Sequence, residues 1–560
     1  MLGERTTQTA IQLWTVIGRL RIELLLVLAL GFLALSAGLR STPLIDWDEA
    51  TYAEVAHEAI ANHNYADLTW NGRPYLKKPP LLFWMMAASF KAFGESELAA
   101  RLPSVIAGLG TLTLIYFGAA DTAGRLAGAL AATIPLSFYF FVARGGSECA
   151  TDPPLIFFTT LSLWSLLKAR FNGKWLALAG VACGLAVLSK GLAGLIPLIV
   201  AVVAVVALPE FREIGRSGIA VIALAAGMVA APWYAYQSIS AFPLFFATFF
   251  GHETISRVFN NLADDGGAAR STLSVLGSET RHLWPLGIPM TAFLATHLRK
   301  PYLAERGPGQ SALMLWALWF MVAIAAACGV QTKLGWYVLP ALVPVALICG
   351  TLPALMLQAK RGRAYLVPLA IAGLAAVALA IPNRWRAISA AAESERVRSR
   401  PTYSMAMRAR RASAEIGGEE LYFAGPPLPT LVYYSAMRCH FVDTAEMQHV
   451  YLKGAPRAPR QIRFRDLVLL DSKGAAYVVA NLDSEWKGEP PPVDDAEADD
   501  PIYIPGFPEG WPETPWSRDE SGQYHVRDIR TLRAADESAA GIDYPAAPRM
   551  PDPGGDPDEL

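Results

Sequence analysis

The sequence is poor in charge and in cysteine. Only 17% of its 560 residues are charged, against about 25% in a soluble protein. A chain this long with so few charges is not an ordinary soluble globular protein. Of the five cysteines, Cys149, Cys183, Cys328 and Cys349 lie in or beside apolar runs, and Cys439 stands alone in the polar C-terminal part. That excludes a disulfide framework and a cysteine-based metal cluster. The net charge of −1 is neutral on a nucleic-acid partner. Neither a basic stripe nor zinc-ligand spacing suggests one, and none is expected. There is no P-loop and no Gly-x-Gly-x-x-Gly phrase, and no internal repeat.

Apolar residues are abundant instead, at 53%, and mean hydropathy is +0.30. Runs of roughly 17 to 23 apolar residues recur through the first two-thirds, near the length of about 20 that crosses a bilayer. About eleven spans are expected, near 22–39, 102–120, 126–143, 153–169, 175–189, 192–208, 217–237, 283–298, 311–329, 335–357 and 365–382. The fold class is therefore a polytopic α-helical membrane protein. No small-residue cleavage site follows the first hydrophobic stretch, so it is expected to be a retained helix. The apolar run 81–90 is too short to cross, ends at Lys91, and suits an interfacial helix.

Basic residues alternate between connections. Arg5, Arg19 and Arg21, Arg125, Lys168 to Lys174, Arg212 and Arg216, Arg299 to Arg306, and Lys360 to Arg363 fall on one side, which the positive-inside bias places in the cytoplasm. Connections 40–101, 144–152, around 190, 238–282 and 330–334 then face outside, with the C-terminal part. The expected divisions are a tail (1–21), a membrane domain (22–382) with a first outer loop (40–101), an outer α/β domain (383–487), and a Pro/Asp-rich segment (488–560) expected to be partly disordered. In the third, 402–416 and 429–437 read as helices and 420–424, 440–442 and 475–480 as strands.

Lys77, Lys78, Lys190, Arg257 and Lys333 stand on the outer side against the charge bias. Together they point to an anionic ligand at that membrane surface, with lipid headgroup contact the plainer alternative. Two phrases in the first outer loop sharpen this. The first, Asp46-Trp47-Asp48-Glu49 through Glu54, puts several carboxylates at the start of a helix whose apolar face holds Val55, Ala56, Ala59 and Ile60. One acid there caps free N–H groups; three beside a membrane suggest a proton-accepting role, assigned to Asp48 with Glu49. The second, Asn71-Gly72-Arg73-Pro74-Tyr75-Leu76-Lys77-Lys78-Pro79-Pro80, has a hairpin turn that aims Tyr75 to Lys78 back toward that helix. A stiff frame around a lysine suits a point charge aimed at phosphate. Asp152 precedes Pro153-Pro154, where it either starts a helix or joins the site. Arg257 offers a fork of donors to phosphate oxygens, and His252 lies five residues before it. Lys190 and Lys333 interrupt tight outer turns.

Taken in order, these phrases resemble the GT-C superfamily of membrane glycosyltransferases, of the family 39 and 83 kind: protein O-mannosyltransferase-like enzymes and the aminoarabinose transferases of lipid A. The matching phrases are Asp48-Glu49-x-x-Tyr52-Ala53-Glu54, Asn71 through Leu81, Phe93-Gly94 through Ser104, Arg144 through Asp152, Ser189-Lys190-Gly191, His252 to Arg257, and Lys333 through Pro340. They cover about residues 20 to 340; the ordered set, not any single phrase, is specific. The resemblance implies a polyprenyl-phosphate-linked sugar donor used at the outer face of a bacterial inner membrane. The acceptor it implies is a glycolipid such as lipid A, a glycan or a protein. Asp48 is then the loop acid, Asp152 a second acid, and Lys78 and Arg257 the phosphate ligands, with Lys190, Lys333 and Tyr75 as further contacts. The aminoarabinose pattern also pairs a Glu before the lysine with the loop histidine in binding a divalent metal. Here that position is Lys77, which leaves His252 alone as a candidate ligand. A transporter, and a ligase or polymerase using polyprenyl-diphosphate glycans, are the rival classes.

Overall fold

A computed structural model describes residues 21–36, 39, 43–45, 48–259, 271–284 and 308–358, scattered positions between 375 and 390, and then 399–414, 418–425, 427–442, 466–471, 476–481, 517–518 and 524–525. The spans expected at 283–298 and 365–382 lie almost wholly outside these residues. So do Asp46, the N-terminal tail and nearly all of the Pro/Asp-rich segment.

The described part is mainly helical. Five of its helical stretches are long and apolar enough to cross a membrane, or six with one bent pair. Their outer faces carry exposed apolar side chains such as Val206, Leu224, Met228 and Met321, as lipid contact requires. The centre is the helix Glu97–Ala123, capped by the Ser96 hydroxyl, which accepts the Ala99 N–H at 3.3 Å. Small residues let its neighbours approach closely. A Cβ on Gly128 would sit 2.8 Å from the Tyr116 carbonyl oxygen, and one on Gly350 would sit 2.3 Å from the Ala131 backbone.

One expected span takes a different form. The run expected to cross at 126–143 is broken: Arg125–Ser137 and Tyr139–Gly145 meet at 88°. A break at Phe138, whose backbone is extended, and the 3₁₀ turn Ile134–Ser137 with Pro135 interrupt the helical hydrogen bonds. The stretch Trp175–Ala207 reverses at Lys190. Gly191 has φ +55°, Cys183 Sγ lies 3.6 Å from the Gly194 carbonyl, and a Cβ on Gly194 would meet the Ala186 and Val187 backbone. In one continuous helix residues 183 and 194 would stand about 16 Å apart. The chain therefore doubles back, as two separate runs at 175–189 and 192–208 require.

A four-stranded sheet follows, ordered Arg438–Val442, Gly418–Ala424, Asp466–Asp471, Ala476–Asn481. Its first pair is parallel and the others antiparallel. It packs with the helix Pro429–Ser435 against the first-loop helix Asp48–Ala61 in one apolar cluster. The strand Asp466–Asp471 escaped the sequence reading, although four consecutive apolar residues between two aspartates are a buried-strand signature.

A charged group is enclosed at this joint. His57 Nδ1 lies 2.9 Å from Glu95, and the buried Glu54 and the neighbouring Glu58 stand beside them. Burial pushes the Glu54 carboxyl up to about 8. Burial works the other way on the His57 imidazolium, but the Glu95 hydrogen bond and the charges of Glu54, Glu95 and Glu58 outweigh it and lift it to about 9.

Candidate active site

Residues just before the helix Asp48–Ala61 are tied down from three directions. The Leu44 N–H donates to the Tyr434 hydroxyl at 2.7 Å, Tyr434 donates to Glu97 at 2.8 Å, and Thr430 donates to the Leu44 carbonyl at 3.3 Å. Glu49 is buried and fully engaged: it accepts from Arg101 Nε at 2.9 Å and Nη2 at 2.7 Å, from the Cys149 N–H at 2.8 Å and from the Ile45 N–H at 3.1 Å. Its neighbour Asp48 is left free to face outward, with its side chain 48% exposed. Tyr52 donates to Asp48 Oδ1 at 3.1 Å, and Arg144 Nη1 lies 3.4 Å from Oδ2.

Arg144 comes from the π-turn Ala143–Ser147, just past the 88° break. Its guanidinium pairs with Glu148 at 2.7 Å and lies 3.9 Å over the Trp336 ring. That break therefore delivers one buried cation to both Asp48 and the wall formed by Trp336.

The hairpin Thr69–Trp70 and Arg73–Pro74 turns at Asn71 and Gly72, with φ +52° and +72°. Two positive φ values in a two-residue loop are what a tight hairpin needs. The Tyr75 N–H then bonds the Leu68 carbonyl at 2.7 Å, which sends Lys77 and Lys78 inward. The buried Tyr75 ring packs edge-on against Phe83 at 5.6 Å. Burial raises its hydroxyl, the charges of Asp48 and Glu253 add to the rise, and Arg257 opposes it.

Asp152 begins the helix Asp152–Ala169, with prolines in its first turn, and Lys190 ends the antiparallel helix Trp175–Lys190. Their side chains meet at 2.6 Å. The fourth segment is the π-helix Phe246–Ser256. Its wide turn brings Phe249, then Glu253 and Thr254, then Arg257 and Val258 to one face.

These segments enclose a cavity of about 310 Å³. One end carries Lys77, Lys78, Lys190 and Arg257 with Asp152 and Glu253, a formal excess of two positive charges. The remaining wall is largely apolar, with Leu155, Leu192, Ile196, Ile199, Ala323 and Val330 among its residues. Burial pushes Lys77 down to about 8. Burial would raise Glu253, but Lys78, His252 and Arg257 hold its carboxyl well below the usual range.

Of the residues expected from sequence, Lys78, Arg257, Lys190 and Asp152 thus meet in one cavity. Asp48 stands outside the lining and reaches its edge through Arg144 and Trp336. Glu49 is turned away onto Arg101. Lys333 bonds the Cys328 carbonyl at 2.8 Å and that of Val330, at the end of the helix Pro308–Gly329. Glu253, Arg144, Trp336 and Tyr337, whose ring centre lies 5.4 Å from Lys190 Nζ, were missed. Glu253 had a signal, standing four residues before Arg257 at helical pairing distance.

His252 does not acquire a metal's donor set. Its Nδ1 lies 3.6 Å from Glu253, which is engaged by Lys78 and Arg257. The position expected to supply a carboxylate is the cation Lys77. Among the described residues no three His, Cys, Asp or Glu side chains converge as ligands. The described residues around His252 therefore do not fit a metal.

Residues 77–236 match the family described as dolichyl-phosphate-mannose-protein mannosyltransferase. An undecaprenyl phosphate-alpha-4-amino-4-deoxy-L-arabinose arabinosyl transferase 2 of Pseudomonas fluorescens is 28% identical over 347 residues, covering 60% of this chain and 61% of the relative. The corresponding transferase of Pseudomonas aeruginosa strain LESB58 is 29% identical over 311 residues, 54% of each chain. The chain thus spans between half and two-thirds of the length of these curated relatives. Among solved structures, ArnT from Cupriavidus metallidurans bound to undecaprenyl phosphate superposes with a TM-score of 0.58 at 20% identity, covering 75% of this chain and 86% of that one. The comparisons bear out the resemblance read from the sequence: the chain is similar to polyprenyl-phosphate-sugar glycosyltransferases of the GT-C kind and shares the fold of one of them.

Proposed function

We propose that this protein is an inverting membrane glycosyltransferase that moves a sugar from a polyprenyl-phosphate carrier to an acceptor hydroxyl or phosphate. The observation that carries the reading is the cavity itself. A cluster of four cations at one end of an apolar-walled space matches a phosphate with a prenyl chain attached. The arabinosyl transferase relatives support the same donor class, and lipid A is the acceptor class that the resemblance read from the sequence implies. The reaction runs at the periplasmic face of a bacterial inner membrane, with the sheet-bearing C-terminal part on that side.

In this mechanism the acceptor hydroxyl attacks the anomeric carbon and Asp48 takes its proton as general base. The bond to the phosphate oxygen breaks, and the leaving prenyl phosphate gains a negative charge. Fixed cations in a partly dry site stabilise that charge without reorganising. Lys78 and Arg257 serve this role, with Lys190 held in place by Asp152. Arg144 orients Asp48 through its ion pair, and Glu49 anchors the helix that presents it. Incubating the purified protein with a panel of polyprenyl-phosphate sugars and membrane extract, followed by mass spectrometry, tests the reading. A prenyl-phosphate-dependent product supports it; transfer only from diphosphate carriers, or solute uptake without any donor, overturns it.

A further inference from the structure

The most engaged group at the cation end of the cavity is a carboxylate. Glu253 is buried, with its side chain 7% exposed, and takes both cations assigned to the donor phosphate: Lys78 Nζ pairs with its Oε2, and Arg257 Nη2 lies 3.3 Å from its Oε1. All three side chains line the same wall. A phosphate oxygen seeking those N–H groups meets a negative charge already in its place. In a site screened from water, two like charges sharing the same donors repel strongly.

We propose that Glu253 is a built-in counter-anion, displaced by the donor phosphate and returned when the spent carrier leaves. This deepens the proposed function and rests on its donor site. The donor phosphodiester carries one negative charge, whereas the leaving monoester carries up to two. Left alone, four cations would hold the more charged product more tightly than the donor. Glu253 corrects this by competing for the same two cations. Lys77 gives the released carboxylate a nearby positive charge, since Glu253 is the main charge holding Lys77 protonated. Glu253 sits on a π-helix. Its i to i+5 hydrogen bonds over Phe246–Ser256 form a less common helix, found mostly as single turns at functional sites.

A permanent strut makes the opposite forecast. If Glu253 merely orients Lys78 and Arg257, removing its charge loosens them and weakens anion binding. The test is the affinity of purified wild-type protein, Glu253→Gln and Glu253→Ala for undecaprenyl phosphate and for inorganic phosphate, with single- and multiple-turnover rates. The proposal expects both variants to bind undecaprenyl phosphate at least tenfold more tightly. It also expects the multiple-turnover rate to fall several-fold further than the single-turnover rate, because release is slow. Equal or weaker binding overturns it. So does loss of folded protein from both variants, which would make Glu253 a strut. If both anions bind equally well, the prenyl-donor reading fails; tighter phosphate binding by the variants would still support the counter-anion, and unchanged binding would sink it too.

Discussion

Asn71 and Cys439, 368 positions apart, exchange two hydrogen bonds: the Asn71 amide donates to the Cys439 carbonyl at 2.7 Å, and the Cys439 N–H donates to Asn71 Oδ1 at 3.1 Å. A side chain thereby pairs the outward backbone groups of Cys439 on an edge strand, where they would otherwise stand open. The same residue holds the positive φ of the hairpin that aims Lys77 and Lys78. Asn71→Gly keeps the turn and loses only the hydrogen bonds, at a cost of about 1–3 kcal/mol. Asn71→Ala adds about 1–2 kcal/mol for a Cβ in the left-handed region. Unfolding in detergent should rank wild type above Gly above Ala, with phosphate binding weakened in the same order.

Asp48→Asn removes the proton acceptor but keeps the size and most of the hydrogen bonding of the side chain. Turnover should fall by about 10² to 10⁴-fold, with undecaprenyl phosphate affinity within twofold of wild type. Radiolabelled transfer and a binding assay on the same preparation check both halves. Normal turnover would remove Asp48 from the mechanism.

Glu49 is expected to matter for folding instead. Glu49→Gln leaves the Arg101 guanidinium buried without its counter-charge, and one-sided breakage of a buried pair costs about 3–5 kcal/mol. The double variant Glu49→Gln/Arg101→Met should recover part of that loss, and turnover per folded molecule should stay within a few-fold of wild type. A folded Glu49→Gln protein with thousandfold lower turnover would return Glu49 to the chemistry.

Lys77 sets an alkaline limit on donor binding. Burial lowers its folded-state value to about 8, so its charge is full well below pH 8 and lost as pH rises through it. Donor KM should therefore rise above pH 8, and Lys77→Arg should carry that limb beyond pH 10. A KM that stays flat to pH 10 in the wild type contradicts the assignment.

The joint between the first-loop helix and the sheet should weaken in alkali. Glu54 and His57 both hold protons more tightly when folded, near 8 and 9, than in the unfolded chain, near 4.3 and 6.5. Their stabilising contribution is present below the unfolded values and is lost as pH rises through the folded ones. Each excess proton contributes a slope of up to about 1.4 kcal/mol per pH unit. Melting temperature should fall between pH 7 and 9.5, and His57→Gln should flatten that part of the profile. An unchanged slope in His57→Gln would exclude the cluster as its source.

What the sequence made legible was local or periodic. The hairpin at Asn71-Gly72 could be read because two residues determine its backbone. The helix Asp48–Ala61 announced itself by its apolar face and leading acids. The break at Phe138 stayed hidden because the apolar run continues through it, and hydropathy measures composition, not hydrogen bonding. Asp152 and Lys190 were both recognisable, yet their pairing depends on two helices lying antiparallel. Glu253 was overlooked because a carboxylate beside an expected anion site contradicts the simple charge pattern, and only the packed structure reveals which cations it takes.

The cation end of the cavity draws on five separate stretches, around 77–78, 152, 190–191, 253–257 and 336–337. None of them can grip an anion alone, and the last contribution arrives more than 250 positions after the first. Phosphate affinity is therefore an all-or-none signature of completed assembly. A truncated or partly inserted chain would have helices but no ligand-dependent rise in melting temperature, so carrier-induced thermal protection can report correct membrane folding without any measurement of catalysis.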